Sequence, residues 1–129
     1  MSHSPLEYLR HVRVECEYLL DAVGGITSDR FLRDETLKRA VSRSPMIIGE
    51  AVWQMKERTP TILDDEPGIE WSKIVGLRHR LTHAYVDTDH TLLWNVCEQN
   101  VPPLLAAVRR LIDGSEPADP AAPASDESE

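Results

Sequence analysis

Aromatic bulk and long hydrophobic runs are scarce in this chain. Phe, Trp and Tyr make up only 5% of its 129 residues, although 41% of the residues are hydrophobic. Its core must therefore be mainly aliphatic, and Gly and Pro gather at a few points instead of recurring regularly, which favours helices over a β-sandwich. No apolar run approaches the roughly 18 residues that would span a bilayer. We expect one all-α domain with no membrane partner.

Cysteine is also scarce, and the usual signatures of hydrolytic enzymes are missing. Cys16 and Cys97 both lie in predicted helices, and neither has the electropositive neighbourhood that activates a thiol. The chain has no glycine-flanked serine elbow and no phosphate-cradling glycine loop. Its first five residues are polar and do not resemble a signal peptide. We therefore expect a reduced, cytoplasmic protein that is not a serine or cysteine hydrolase.

A positive net charge is absent as well. The formal charge is -8, and residues 115–129 carry five acids and no base, which leaves 14 bases against 17 acids in residues 1–114. Overall charge therefore does not favour a nucleic-acid partner, but locally clustered cations leave one possible. Two such clusters occur, at Arg30/Arg33/Lys38/Arg39/Arg43 and at Lys73/Arg78/Arg80.

The spacing of apolar residues predicts four main helices joined by short loops in an antiparallel bundle. The first begins at Ser4-Pro5 with a capping box and ends at Gly24-Gly25. A further start is capped at Thr27 or Ser28. From Asp34 the pattern predicts one long helix to Thr59-Pro60, kinked because Pro45 removes a backbone donor.

Beyond an acidic loop, helical spacing returns from Trp71 and continues to Ala84. A last helix, capped within Asp87-Thr88-Asp89, bends or restarts at Pro102-Pro103 and stops at Gly114. The remaining residues offer no large apolar side chain to offset the entropy of ordering. We therefore predict a helical domain over residues 1–114 and a disordered acidic tail over residues 115–129.

The most informative segment is Arg78-His79-Arg80-Leu81-Thr82-His83-Ala84-Tyr85. It combines a fixed cation, a group that ordinarily titrates near neutral pH and a hydroxyl, as phosphate chemistry requires. On an ideal helix Arg78 and His83 lie about 140° apart and cannot face one small ligand. Either the helix unwinds near Thr82, or a second copy completes the site across a dimer interface. Arg78 and Tyr85, seven residues apart, would share a face.

Other interpretations of the segment remain open. His79 and His83 have the i,i+4 spacing of a helical metal site and His90 lies nearby, but no Glu follows His79 and no third ligand is convincing. Taken singly, His79 is typical of a surface histidine, Arg80 of a solvated charge, and Tyr85 of an aromatic that covers the core near a helix end.

The order of motifs along the chain resembles the HepT-like toxins of the HEPN superfamily. The series comprises Arg39-Ala40-Val41, Ile47-Ile48-Gly49-Glu50-Ala51, Trp71 to Arg78, the Arg-x4-His-x-Tyr motif at Arg78, His83 and Tyr85, then Val86-Asp87-Thr88-Asp89 and Trp94. Two departures stand out. His79 occupies a position that is often Asn in the family, and Ser44-Pro45 interrupts a normally unbroken helix, which could shift Glu50 relative to the motif.

This resemblance implies a HEPN-type four-to-five-helix up-and-down bundle that forms a homodimer, with the two motifs facing a shared cleft. It implies a metal-independent endoribonuclease that needs no cofactor, the toxin of a type VII-like toxin–antitoxin pair. Its antitoxin would be an MNT-domain nucleotidyltransferase that silences the toxin by transferring AMP to Tyr85.

The resemblance also assigns roles within the motif. His83 would be the general base or acid, Arg78 would hold the phosphate, His79 would orient either group, and Glu50 would position Arg78 or cap polar interior space. The alternative is a non-catalytic helical module that binds nucleotide or serves as a scaffold for the nucleotidyltransferase.

Overall fold

The computed structural model describes residues 4–83 and 87–115, and at residues 78, 82, 83, 87 and 88 it describes the backbone alone. Within those ranges the chain is almost wholly helical. The elements are α1 (Pro5–Val23), α2 (Ser28–Arg33), α3 (Glu35–Val41), α4 (Ser44–Arg58), α5 (Pro60–Leu63), α6 (Trp71–Val75), α7 (Leu77–Leu81), β1 (Thr82–His83), β2 (Asp87–Thr88), α8 (His90–Asn95), a π-helical segment (Val96–Asn100) and α9 (Val101–Ser115).

The first helix begins where its capping residues place it. Ser4 and Glu7 form the predicted capping box: the Ser4 hydroxyl accepts from the Glu7 N–H at 3.2 Å, and the Ser4 N–H donates to the Glu7 carboxylate at 2.8 Å. The predicted caps Thr27 and Asp89 likewise accept from backbone N–H groups in the first turns of α2 and α8. These starts are confirmed.

Three long helices, α1, α4 and α9, form the scaffold. α1 packs against both of the others through side chains that are fully buried at helical spacing. A partly buried hydrogen bond from the Ser44 hydroxyl to the Glu15 carboxylate, 2.7 Å long, fixes the start of α4 against α1. The main aliphatic core residues are Leu9, Val12, Leu19, Ile48, Val52, Val101 and Val108. The predicted all-α, HEPN-type bundle is confirmed.

The helix predicted from Asp34 to Thr59 is not continuous: it is interrupted between α3 and α4, at the place where the kink was predicted, although Ser42 and Arg43 keep right-handed helical backbone angles. Residues 42 and 43 form a turn, and the Ser42 hydroxyl donates to the Lys38 carbonyl. Pro45 then lies in the first turn of α4, where its missing N–H would have had no helical partner. Pro45, which was predicted to kink a long helix, therefore lies at the start of a separate one.

The bend or restart predicted near Pro102-Pro103 is confirmed, and it takes the form of a π-helical segment. The chain widens into the π-helical segment, in which the Val101 N–H donates to the Val96 carbonyl five residues earlier. Both prolines then lie in the first turn of α9. α9 continues to Ser115, one residue beyond the predicted stop, and residues 116–129 lie outside the described ranges. In the part of the chain described, no helix is long and apolar enough to cross a bilayer.

Candidate active site

The segment around the motif is not the continuous helix predicted from Trp71 to Ala84. α6 and α7 are separate short helices on either side of Gly76, whose carbonyl accepts from the His79 and Arg80 N–H groups at 3.1 and 3.2 Å. α7 ends at Leu81, and the Leu81 carbonyl accepts from the Asp89 N–H. That bond joins the end of α7 to the start of α8 and leaves the intervening residues outside both helices.

Arg78 and His83 consequently belong to different elements. The backbone of Arg78 lies in α7, between the buried residues Leu77 and Leu81, and the backbone of His83 lies in β1, where it pairs with Asp87 of β2. The helix does end before Thr82, as one of the two predicted alternatives required. The 140° separation of an ideal helix therefore does not apply here and no longer argues for a second copy. Tyr85 lies outside the described residues.

His79 and Glu50 line one groove. Gly49, Glu50 and Trp53 of α4 and Val75, Gly76 and His79 of α6–α7 enclose about 290 Å³, named here the Glu50–His79 groove. Both named side chains are exposed, and the Glu50 carboxylate accepts from the Gln54 amide at 2.9 Å. The two residues predicted to support the motif are thus brought together beside the helix that carries Arg78.

Gly49 lies where α4 and α6, the two walls of this groove, come close together. A Cβ added at Gly49 would lie 3.4 Å from the carbonyl oxygens of both Ile74 and Val75. This is van der Waals contact distance, so α4 and α6 lie close together at Gly49. The indole of Trp71 anchors the other end of α6 by donating to the carbonyls of Leu63 and Glu66, at 3.1 and 3.2 Å.

Arg80 faces a different part of the molecule. Its guanidinium donates to the Lys73 carbonyl at 3.4 Å, and both residues line a cavity of about 310 Å³ whose other walls are mainly aliphatic. The side chain is exposed, as predicted for a solvated charge. Lys73 pairs with Glu70 at 3.2 Å, and both side chains are about 70% exposed.

The two cysteines are unsuited to nucleophilic chemistry. Burial raises the pKa of the Cys16 thiol to about 12, with further contributions from Glu15 and Glu17, and burial raises the pKa of the Cys97 thiol to about 11. The thiolate is the reactive form of cysteine. This result agrees with the prediction that neither thiol is activated.

The helical metal site considered for His79 and His83 loses its geometric basis. That interpretation required both residues on one helix face, four residues apart, but α7 ends at Leu81 and His83 lies in β1. Among the described side chains, which do not include that of His83, no group of three His, Cys, Asp or Glu residues is arranged to hold a metal ion.

The all-α bundle, with Arg78 on a short helix and His83 in the following hairpin, agrees with a protein of the HEPN type. Comparison with known proteins makes the assignment specific, because the family model described as "Ribonuclease HepT-like" matches residues 12–111. The chain belongs to the HepT-like ribonuclease family. This membership supports ribonuclease activity, with RNA as the class of substrate.

Individual relatives support the same assignment. The chain is 33% identical over 109 residues to "Putative RNase TTE0752" of Caldanaerobacter subterraneus subsp. tengcongensis, covering 84% of this chain and 95% of the relative. It is 28% identical over 111 residues to "Probable ribonuclease HepT" of Thermococcus cleftensis, covering 86% and 98%. "Putative RNase MJ0127" of Methanocaldococcus jannaschii is 29% identical over 101 residues, covering 78% and 81%. No solved structure gives a significant match.

Sequence reasoning missed Trp53 and Gly49 as parts of the site. Trp53 lies in the Glu50–His79 groove and is 43% exposed, which is unusual for a large aromatic side chain in a small domain. Trp53 follows Met46 by seven residues and so shares its face of α4. That spacing of two large apolar residues on the polar face of a predicted helix was the available signal.

Proposed function

We propose that this protein is a metal-independent endoribonuclease, the toxin of a toxin–antitoxin pair, with Arg78 and His83 as catalytic residues. The observation that carries the proposal is the end of α7 at Leu81, which separates the two residues into a helix and an adjoining strand. A straight helix would have held them on different faces. The break removes that constraint, and the family match supports RNA as the substrate class.

The proposed reaction is a transesterification within the RNA strand. His83 accepts the proton of a ribose 2′-OH, whose oxygen attacks the adjacent phosphorus as the bond to the 5′ oxygen breaks. Arg78 binds the phosphate and stabilises the added negative charge of the transition state through charge-assisted hydrogen bonds. The 5′ oxygen takes a proton from water as it leaves, the proton on His83 returns to the solvent, and the other product ends in a 2′,3′-cyclic phosphate.

His79 and Glu50 act as positioning residues in this proposal. Both line the Glu50–His79 groove, and the backbone N–H of His79 is bonded to Gly76 at the start of α7. Through this groove Glu50 of α4 is placed beside the helix that carries Arg78. We expect Glu50→Gln to lower kcat with little change in folding, because only the charge of the side chain is removed.

Cleavage of RNA in the presence of EDTA tests the central proposal. We expect wild-type protein to cut with the chelator present, and Arg78→Ala or His83→Ala to lower the rate by at least about 100-fold. Arg109→Ala is the matched control, since its partly exposed ion pair with Glu17 lies on α9 and contributes little. Loss of wild-type activity on chelation would refute metal independence, and full activity in both motif variants would refute the catalytic assignment.

We also propose that the protein forms a homodimer, because large apolar side chains are exposed on α1 and α4. Val14 and Tyr18 of α1 and Met46 and Trp53 of α4 are each between 42% and 52% exposed. In each helix the pair shares a face, being four or seven residues apart. A groove between α1 and α4 is lined by His11 and Met46, and His11 shares a face of α1 with Val14 and Tyr18, three and seven residues later.

A second copy would cover this apolar surface and bring two motifs towards one cleft. Light scattering at micromolar concentration should give twice the mass of the chain, and Tyr18→Glu with Trp53→Glu should give a folded monomer. A wild-type monomer, or a double variant that remains dimeric, would contradict this interface. Circular dichroism distinguishes dissociation from unfolding.

Regulation by an MNT-domain nucleotidyltransferase completes the proposal. Tyr85 follows His83 by two residues, so AMP joined to its hydroxyl would add bulk and negative charge close to the catalytic residues in sequence. Coexpression with the nucleotidyltransferase should add one or more AMP masses and inhibit cleavage. Tyr85→Phe should prevent both effects. Labelling of Tyr85→Phe at the wild-type level would place the modification elsewhere.

A further inference from the structure

Three exposed arginines on α2 and α3 form a surface that the proposed mechanism does not use. Arg30 and Arg33, three residues apart, share a face of α2, and Arg39 lies on α3; they are named here the α2–α3 arginine surface. No ion pair within the described part of the chain includes any of the three. Arg30 and Arg33 also line an open depression of about 460 Å³ together with Asp34, Glu35 and Thr36.

The acids next to these arginines are largely engaged elsewhere. The Asp34 carboxylate caps α3 by accepting from the Leu37 N–H at 2.9 Å, and Glu35 pairs with Lys38 at 2.8 Å. The hydrogen bond from Lys38 lowers the pKa of Glu35, and the charges of Lys38, Arg39 and His90 lower it further. Several cations therefore converge on this end of α3, and the three arginines stay available to an outside anion.

Packing fixes this surface beside the hairpin that carries His83. Phe31 of α2 is fully buried and its ring lies 5.4 Å from that of Trp94 in α8. α8 begins at His90, two residues after the end of β2, and β2 pairs with β1. α3 follows α2 and packs against it. Arg30 and Arg33 thus lie on a helix that packs directly against the element following the motif, and Arg39 lies on the next helix.

We propose that Arg30, Arg33 and Arg39 bind the phosphate backbone of the RNA substrate outside the cleavage site. The inference rests on the proposed ribonuclease function and extends it to substrate binding. The chain carries a net charge of -8, so an RNA strand must be held by a local cluster of cations. Guanidinium groups suit this role because they form paired hydrogen bonds with phosphate oxygens. Such contacts position a strand without selecting its sequence.

Fluorescence anisotropy of a labelled single-stranded RNA of about 20 nucleotides tests the proposal. The RNA is bound to full-length protein that also carries His83→Ala, so that cleavage does not interfere. Changing Arg30, Arg33 and Arg39 to Gln should weaken binding on the order of tenfold at low salt. Each phosphate contact of a single strand contributes about 0.7 to the slope of log affinity against log salt, so the slope should fall by about 2.

The matched control changes Arg58, Arg109 and Arg110 to Gln, which removes the same charge from exposed arginines that are bonded to Gln54, Glu17 and Glu66. Equal weakening in this control would reduce the effect to net charge and overturn the proposal. Unchanged RNA binding in the first triple variant would also overturn it. So would a surface that instead binds a synthetic peptide of residues 115–129, with RNA affinity unaffected by the substitutions.

Cleavage of a dinucleotide separates this inference from the ribonuclease proposal. A dinucleotide has a single phosphate, the one that is cut, so it offers no further phosphate to the α2–α3 arginine surface. The triple variant with His83 intact should therefore cut it at the wild-type rate. A loss of dinucleotide cleavage would show that the arginines act at the reaction itself and would overturn the proposal. If the wild-type protein binds RNA through these arginines but does not cleave it, the α2–α3 arginine surface is supported and the ribonuclease proposal is refuted.

Discussion

The scaffold helices and the motif segment are built in opposite ways. α1, α4 and α9 contain 19, 15 and 15 residues, and continuous faces of buried aliphatic side chains hold them together. Between Trp71 and Asp89 the helices have five residues each and the strands two. Trp71, Leu77 and Leu81 pack into the core, and individual hydrogen bonds fix the ends of the short elements. The fold thus depends on distributed packing, whereas the placement of the proposed site also depends on a few hydrogen bonds.

The largest expected effect tests the scaffold side of this comparison. Leu9 is fully buried in α1 and has no part in the proposed chemistry. Leu9→Ala should lower the free energy of unfolding by about 2–5 kcal/mol, because it removes buried methyl groups and leaves a cavity. Urea unfolding followed by circular dichroism measures the change. RNA cleavage per folded molecule should stay at the wild-type level at low temperature, and a selective loss of activity would show that scaffold and site are coupled.

Alkaline pH should act on the scaffold through its thiols. The pKa values of Cys16 and Cys97 are raised in the folded state to about 12 and about 11, above the ordinary value of about 8.5. Their contribution to stability is therefore complete below about pH 8.5 and is lost as pH rises towards those folded values. We expect a loss on the order of 1–2 kcal/mol between about pH 7.5 and pH 9.

Urea unfolding at both pH values measures this loss. The double variant Cys16→Ala, Cys97→Ala is the control, and it should be less stable at neutral pH but show a flatter dependence on pH. A maleimide should label the thiols only on unfolding. Rapid labelling of the native protein at neutral pH would mean that the scaffold around these cysteines opens far more easily than its packing indicates.

A pair of helix caps compares the two regions directly. Ser4 caps α1 in the scaffold, and Asp89 caps α8 by accepting from the Leu92 N–H at 2.9 Å, immediately after the hairpin. Ser4→Ala and Asp89→Ala should each lower the free energy of unfolding by about 1 kcal/mol. Only Asp89→Ala should also slow RNA cleavage, because loss of the cap loosens the start of α8, where the Asp89 N–H donates to the Leu81 carbonyl. Equal activities at matched folded fractions would refute the idea that this end bond positions His83.

The same contrast explains how much the sequence could predict. Hydrophobic periodicity and capping residues correctly predicted α1, the start of α2, the start of α8 and the change in the helix at Pro102. These signals act within one or two helical turns. The same periodicity wrongly predicted one helix through the motif to Ala84, since Ile74, Leu77 and Leu81 have helical spacing. At the end of α7 the Leu81 carbonyl accepts a hydrogen bond from the N–H of Asp89, eight residues later. A bond over that separation cannot be predicted from local periodicity. A similar limit applied to Gly49, whose role depends on a neighbouring helix.

The smallest expected effect concerns the acidic tail, which the composition predicts to be disordered. α9 extends to Ser115, so a deletion of residues 116–129 leaves every described helix complete. The deleted segment has no large apolar side chain, and its loss should change the free energy of unfolding by less than about 0.5 kcal/mol. Thermal unfolding compares the truncated and full chains.

This deletion also sharpens the comparison at the α2–α3 arginine surface. The tail carries four acids beyond Glu116, at Asp119, Asp126, Glu127 and Glu129, and no base. A tail without a docking site should leave both the thermal midpoint and the RNA affinity of the His83→Ala protein nearly unchanged, apart from a small electrostatic gain that salt removes. A fall of several degrees in the midpoint would mean that the tail packs on the body. A large, salt-sensitive gain in RNA affinity would mean that it competes with RNA for the arginines.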